Sequence, residues 1–132
     1  MLTEAEAIRA MRRHLEGRFP KICPNCQRRY ASLQEYVQAT QPIGETLSYD
    51  GELGDWNPAK PLGTVALANC PCGNTLSLTS HGMPVPQLMQ LLEWARIETK
   101  RQGITLQVLL GQARNEIRRQ ALAEMEQQAD SP

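Results

Sequence analysis

Four of the 132 residues are cysteines, and they fall in two tight pairs, Cys23-Pro24-Asn25-Cys26 and Cys70-Pro71-Cys72-Gly73. Thiolates are soft ligands, and two of them from one turn supply half of the tetrahedral cage that zinc prefers, with Zn–S about 2.3 Å. A second pair from a distant turn completes it. The two-residue spacing of the first pair is common for such turns. The one-residue spacing of the second needs a tighter turn, in which Pro71 presets φ and Gly73 can take the positive φ that lets a backbone N–H approach a sulfur. The spacing therefore predicts one metal site shared by Cys23, Cys26, Cys70 and Cys72. Four thiolates leave a zinc ion no open position, so the site is expected to be structural and not hydrolytic. Iron takes the same ligands and stands as the alternative ion. A thioredoxin-like use of Cys23 and Cys26 lacks its βαβ context and leaves the second pair unexplained.

The two knuckles resemble those of the zinc-ribbon and rubredoxin-like group. The stretch CPCGNTLSL, from Cys70, is similar to the C-P-C-G strand of the CSL-type zinc finger of diphthamide biosynthesis. In this chain the two-residue spacing comes first, and 43 residues separate the pairs, far more than in that finger. The resemblance implies coordination by all four cysteines at the tip of a β-hairpin, and it transfers no activity.

Other candidate chemistry is sparse. His81, in TSHGMP, is the one extra residue that could serve as ligand or base, and it reads more simply as a surface turn. His14 lies on an arginine-rich helix face and is expected to be solvated. Asp50, Glu52 and Asp55 have no partner that would make them an acid/base or metal set. There is no Ser/His/Asp set, glycine-rich phosphate loop or usefully spaced carboxylate pair, so the reading leans away from an enzyme. Arg12, Arg13, Arg18, Lys21, Arg28 and Arg29 cluster around the first knuckle and could meet nucleic-acid phosphates. Against that stand a net charge of zero and an aromatic content of 5%, little for base stacking. The charge is nevertheless segregated, at +4 over residues 1–29, −5 over 30–95 and +1 over 96–132. Such an arrangement suits an internal contact or an oriented partner.

These side chains need elements to hold them. Thr3 and Glu6 form a capping box, followed by Ile8, Met11 and Leu15 at helical spacing and a stop at Gly17, so residues 4–16 read as an amphipathic helix. Ser32 and Glu35 repeat the box before a short helix that ends ahead of Pro42. Residues 41–61 hold three Gly, three Pro and four acids, and read as a long loop, with Trp56 as its hydrophobic pin. LGTVALANC and NTLSLTS alternate as two half-buried strands around the second knuckle, Val65 and Leu67 opposing Thr64, Ala66 and Ala68. Pro84 and Pro86 open a helix whose face is Val85, Leu88, Leu91, Leu92 and Ala95, and Gly103 closes it. Thr105 caps a last helix carrying Leu106, Leu109, Leu110, Ala113, Ile117 and Ala121. A three-residue join makes these two an antiparallel hairpin.

The expected fold is α+β in a single domain over 1–132. Its parts are an N-terminal helix (4–16), a ribbon-like metal module (19–82) and a helical hairpin (84–128). No apolar run approaches the ~20 residues of a membrane span, and the N-terminus has no signal-peptide pattern. A reduced, cytoplasmic location is expected, which argues against structural disulfides. The leading expectation is a small zinc-binding regulatory or adaptor protein. Its helical hairpin would meet a protein partner or, as a homodimer, a second copy, because apolar residues of the last helix occupy more than one stripe. The alternatives are a nucleic-acid-binding zinc ribbon and a rubredoxin-like electron carrier.

Overall fold

In a computed structural model, the described residues are 2–48, 64–79 and 82–129. They form α1 (Glu4–Glu16), β1 (Lys21–Ile22), β2 (Arg29–Tyr30), α2 (Leu33–Ala39), β3 (Gln41–Ser48), β4 (Thr64–Asn69), β5 (Thr75–Thr79), α3 (Val85–Gln102) and α4 (Leu106–Ala129). The class is α+β, as expected. Asp50, Glu52, Asp55, Trp56 and His81 lie outside the described residues.

The helix ends follow the capping chemistry in the sequence. Thr3 Oγ1 accepts from the Glu6 backbone N–H at 3.1 Å, and the Glu6 carboxylate accepts from the Thr3 N–H at 3.0 Å. At α2 the box is stretched by one residue: Ser32 Oγ accepts from Glu35 N–H, but the Glu35 carboxylate reaches back to the N–H of Ala31. Pro84 and Pro86 open α3, and Gly103 ends it at φ 68°, in the left-handed region. Thr105 Oγ1 accepts from Val108 N–H and starts α4.

The strands form two sheets. β1 and β2 are an antiparallel pair around the first knuckle, with Lys21 opposite Tyr30. β4 lies between β3 and β5, both antiparallel to it, and the second knuckle joins β4 to β5. The expected loop over 41–61 is thus corrected at its start, because Gln41–Ser48 is a strand. Pro42 and Gly44 argue against a central strand, but among the described residues β3 is an edge, where a missing N–H costs no ladder bond. Its pairing with β4 shifts register between Ile43 and Leu47, which absorbs the irregular residues. A second correction concerns β4, which turns Ala68 inward and leaves Leu67 half-buried, the reverse of what side-chain size suggests.

The buried residues form two cores. The first joins Ile8, Cys23, Tyr30, Leu33, Tyr36, Val37, Ala68, Cys70 and Leu76 to Ala113, Ile117 and Ala121. The second joins Ala7, Met83, Leu88, Leu91, Leu92, Trp94 and Ala95 to Leu106, Leu109 and Leu110. Every apolar residue predicted for the α4 face is buried, the first half of the helix in one core and the second half in the other. The surplus of apolar stripes on α4 is therefore mostly covered by its own chain, by α1, α2, α3 and β3. Val85, assigned to the inner face of α3, is instead 51% exposed, and Trp94 takes an inward position.

Polar ties cross the helices as well. The Arg12 guanidinium of α1 donates to the Glu124 carboxylate of α4 at 2.6 Å, and Gln34 of α2 donates to the same carboxylate at 2.8 Å. This hydrogen bond from Arg12 holds the Glu124 carboxyl below its usual range, against the opposing effect of burial. A carboxyl lowered in the folded state contributes stability above its unfolded pKa and loses it as pH falls through the folded one. Glu124→Gln should therefore cost about 0.5–1 kcal/mol at neutral pH, a modest figure because Glu124 is 41% exposed and screened by solvent. Urea titrations of the two proteins are expected to converge below the carboxylate range.

Candidate metal centre

Each knuckle is a turn closed by its flanking strand ends. In the first, Cys23 N–H donates to the Arg28 carbonyl and Gln27 N–H donates to the Cys23 carbonyl, both at 2.9 Å. In the second, Cys70 N–H donates to the Asn74 carbonyl and Gly73 N–H to the Cys70 carbonyl, both at 2.8 Å. The second knuckle is the first with one residue removed, which is why its cysteines are one residue closer in sequence. In both, the residue after the second cysteine is left-handed: Gln27 at φ 67° and Gly73 at φ 95°.

That parallel yields a paired prediction. A Cβ at Gly73 would meet no atom within 4 Å, so Gly73→Ala should cost only backbone strain, about 1–2 kcal/mol. Gln27 already bears that strain, partly offset by its amide donating to the Pro24 carbonyl at 3.2 Å. Gln27→Gly should leave stability within about 1 kcal/mol of the parent or raise it. Thermal melts of the metal-loaded proteins check both.

The two turns meet tip to tip. The four sulfurs all lie within 4.8 Å of one another. Cys23 and Cys72 sulfurs are 3.7 Å apart, as are those of Cys26 and Cys70. A regular tetrahedron with Zn–S about 2.3 Å has edges of about 3.8 Å, whereas a disulfide needs about 2.0 Å. All four cysteines are free thiols. Cys23 and Cys70 are buried in the first core and Cys26 and Cys72 are exposed, so an ion held here would sit on the rim of that core.

Each sulfur also has a hydrogen-bond donor aimed at it. Asn25, in the first knuckle, donates its amide to Cys72 at 3.4 Å, and Asn74, beside the second, donates to Cys23 at 3.6 Å. Tyr30 Oη lies 3.0 Å from the Cys70 sulfur. The Arg28 backbone N–H points at Cys26. These donors set the proton affinities. The backbone N–H of Cys26, helped by that of Asn25 and by the Asn74 amide, holds the Cys23 thiol down at about 6. Cys72 is lowered by the Asn25 amide and the Asn74 N–H. At Cys26 the Arg28 N–H favours the thiolate, but desolvation and the neighbouring sulfurs outweigh it and push the thiol up to about 11. Four like charges cannot share this space without a counter-ion, and a divalent cation removes the conflict. The residues fit a metal ion of the soft, tetrahedral kind.

Asn25, Asn74 and Tyr30 were not among the residues singled out by spacing. An amide lies within or directly after each knuckle, and that was a usable signal. Tyr30 was not, because its contact is 40 residues away in sequence.

The basic residues divide. Arg12 is committed to Glu124, with 13% of its side chain exposed, so it is corrected out of a phosphate-binding set. Arg18 is half-buried, its guanidinium 3.3 Å from where a Gly82 Cβ would stand. Arg28 lies over the Tyr30 ring, 5.3 Å from its centroid. Arg13 and Arg29 are exposed and Lys21 is half-buried. His14 is also half-buried and not solvated as expected. Among the described residues no helix is long and apolar enough to cross a membrane. In comparisons with known proteins, no family model, no curated protein and no solved structure matches this chain.

Proposed function

We propose that this chain is a small zinc-binding protein of regulatory or adaptor type. One ion held by Cys23, Cys26, Cys70 and Cys72 is structural, and it clamps the β1–β2 turn to the β4–β5 turn on the rim of the first core. The observation that carries the reading is the convergence of four sulfurs within 4.8 Å, each with a donor. Zinc suits a closed tetrathiolate with no position left for a substrate. Elemental analysis of the purified chain should return one zinc per chain. Stoichiometric iron, with a red colour that bleaches on reduction, would move the reading to electron transfer; absence of any metal would end both.

The adaptor role rests on what stays outside the cores. Val85, Val108 and Leu122 are 51%, 48% and 40% exposed on α3 and α4, and Ile22 is 55% exposed beside Cys23. These apolar residues suit association with a protein partner or a second copy. Sizing by light scattering of the parent and of Val108→Asp tests self-association.

A nucleic-acid role is the second reading. Lys21, Arg28 and Arg29 flank the metal site on one short hairpin, though Arg12 and Arg18 no longer support them. Salt-dependent binding of single- or double-stranded oligonucleotides that flattens in an Arg28→Ala, Arg29→Ala double variant would favour it; indifference to both at low salt would remove it.

A further inference from the structure

We propose that Tyr30 is a positioning residue of the metal centre: its buried hydroxyl, donating to the Cys70 sulfur, governs how fast the bound ion is released. The proposal rests on the zinc reading and adds a control over that site. Tyr30 is 1% exposed, Cys70 is 2% exposed, and hydroxyl and sulfur are 3.0 Å apart. A metal-bound thiolate carries no proton, so in the loaded protein the hydroxyl must be the donor. The bond then does two things. It withdraws charge from the sulfur, and it fixes the side chain at the rotamer that faces the ion.

Tyr30 differs from the other donors in where it is anchored. Asn25, Asn74 and the backbone N–H groups belong to the knuckles and move when a knuckle opens. The Tyr30 ring is held by the core instead. It packs edge-on against Tyr36 at 5.5 Å between centroids, lies under the Arg28 guanidinium, and is the strand residue paired with Lys21. Cys70 is thereby tied to a side chain anchored outside its own turn. A natural comparison sits beside it. Tyr36 shares the core and is also 1% exposed, but its hydroxyl has no hydrogen-bond partner among the described residues.

The experiment compares zinc-loaded full-length protein as parent, Tyr30→Phe and Tyr36→Phe. Zinc transfer to excess chelator is followed by absorbance. Tyr30→Phe should release zinc about tenfold faster, the lower end of what loss of such outer contacts produces, while Tyr36→Phe keeps the parent rate. In cobalt-substituted protein the sulfur-to-metal charge-transfer band should move to lower energy in Tyr30→Phe alone, because the sulfur becomes more electron-rich. A packing role would not move that band. Parental release and an unshifted band in Tyr30→Phe would overturn this proposal while leaving the zinc reading intact; a parent that binds no metal would overturn both. If Tyr30→Phe fails to fold, the cadmium-loaded parent decides by NMR. A Tyr30 hydroxyl proton that exchanges slowly with solvent and couples to the metal supports the bond, and one that exchanges freely overturns it.

Discussion

Cys70→Ser is expected to strip the chain of stoichiometric metal and to melt the first core while the second stays folded. Cys70 belongs to both systems at once, as one of the four converging sulfurs that could hold an ion and as a buried member of the first core. Zinc sites of this kind contribute about 10–16 kcal/mol of apparent binding free energy, comparable to the whole net stability of a domain, about 5–15 kcal/mol. The β1–β2 hairpin that carries the first knuckle has only two residues in each strand, and without an ion the sulfurs repel or must protonate. The second core contains no cysteine and no strand residue: apart from Met83, its buried residues lie on the faces of α1, α3 and α4. The two cores carry different reporters, which makes the result readable. Tyr30 and Tyr36 sit in the first and Trp94 in the second. In a Trp56→Phe background, Cys70→Ser or chelation should abolish the near-UV tyrosine signal and leave the Trp94 emission of a buried indole. Loss of both signals together would mean that one cooperative unit depends on the metal, and loss of neither would mean that the ion does not hold the fold.

The parts of this arrangement legible in the sequence were the local ones. Paired cysteines at fixed spacing, a hydroxyl three residues before a carboxylate, and a glycine past the end of an apolar stripe each act within a few residues of themselves. The convergence of the four cysteines, the ends of α1 and α3 and the buried face of α4 were accordingly readable. Features decided by distant neighbours were not. Pro42 and Gly44 read as loop because nothing near them shows that β4 offers an edge to pair with. Ala68 reads as the outward residue beside Leu67, yet it is buried in the first core, most of whose other members come from α1, α2 and α4 and are distant in sequence. Arg12 reads as surface charge until Glu124, 112 residues on, is brought beside it. Adjacent Leu109 and Leu110 showed that α4 buries more than one stripe, but both belong to the second core, and the handover to the first core at Ala113 is a property of the whole fold.

That split gives the second large effect. Ile117 is 5% exposed in the core that holds Cys23 and Cys70, and Leu109 is 3% exposed in the other. Truncating either to alanine removes buried methyl groups and leaves a cavity, so each variant should lose about 2–4 kcal/mol of stability. Their consequences for the metal should differ. A cavity in the first core loosens the packing around Tyr30, whose hydroxyl meets the Cys70 sulfur, and by linkage any change that disfavours the metal-competent state weakens metal binding to the same degree. Ile117→Ala is therefore expected to weaken zinc affinity roughly tenfold or more, since a single 1.4 kcal/mol of coupling gives a factor of ten. Leu109→Ala, at a comparable cost in stability, should leave affinity near that of the parent. Competition against a chelator of known affinity, with unfolding measured in parallel, separates the two. Equal losses of affinity in both variants would show that α4 transmits strain from one core to the other as a rigid rod. An effect confined to Ile117 would show that the helix joins two cores whose stabilities are largely independent.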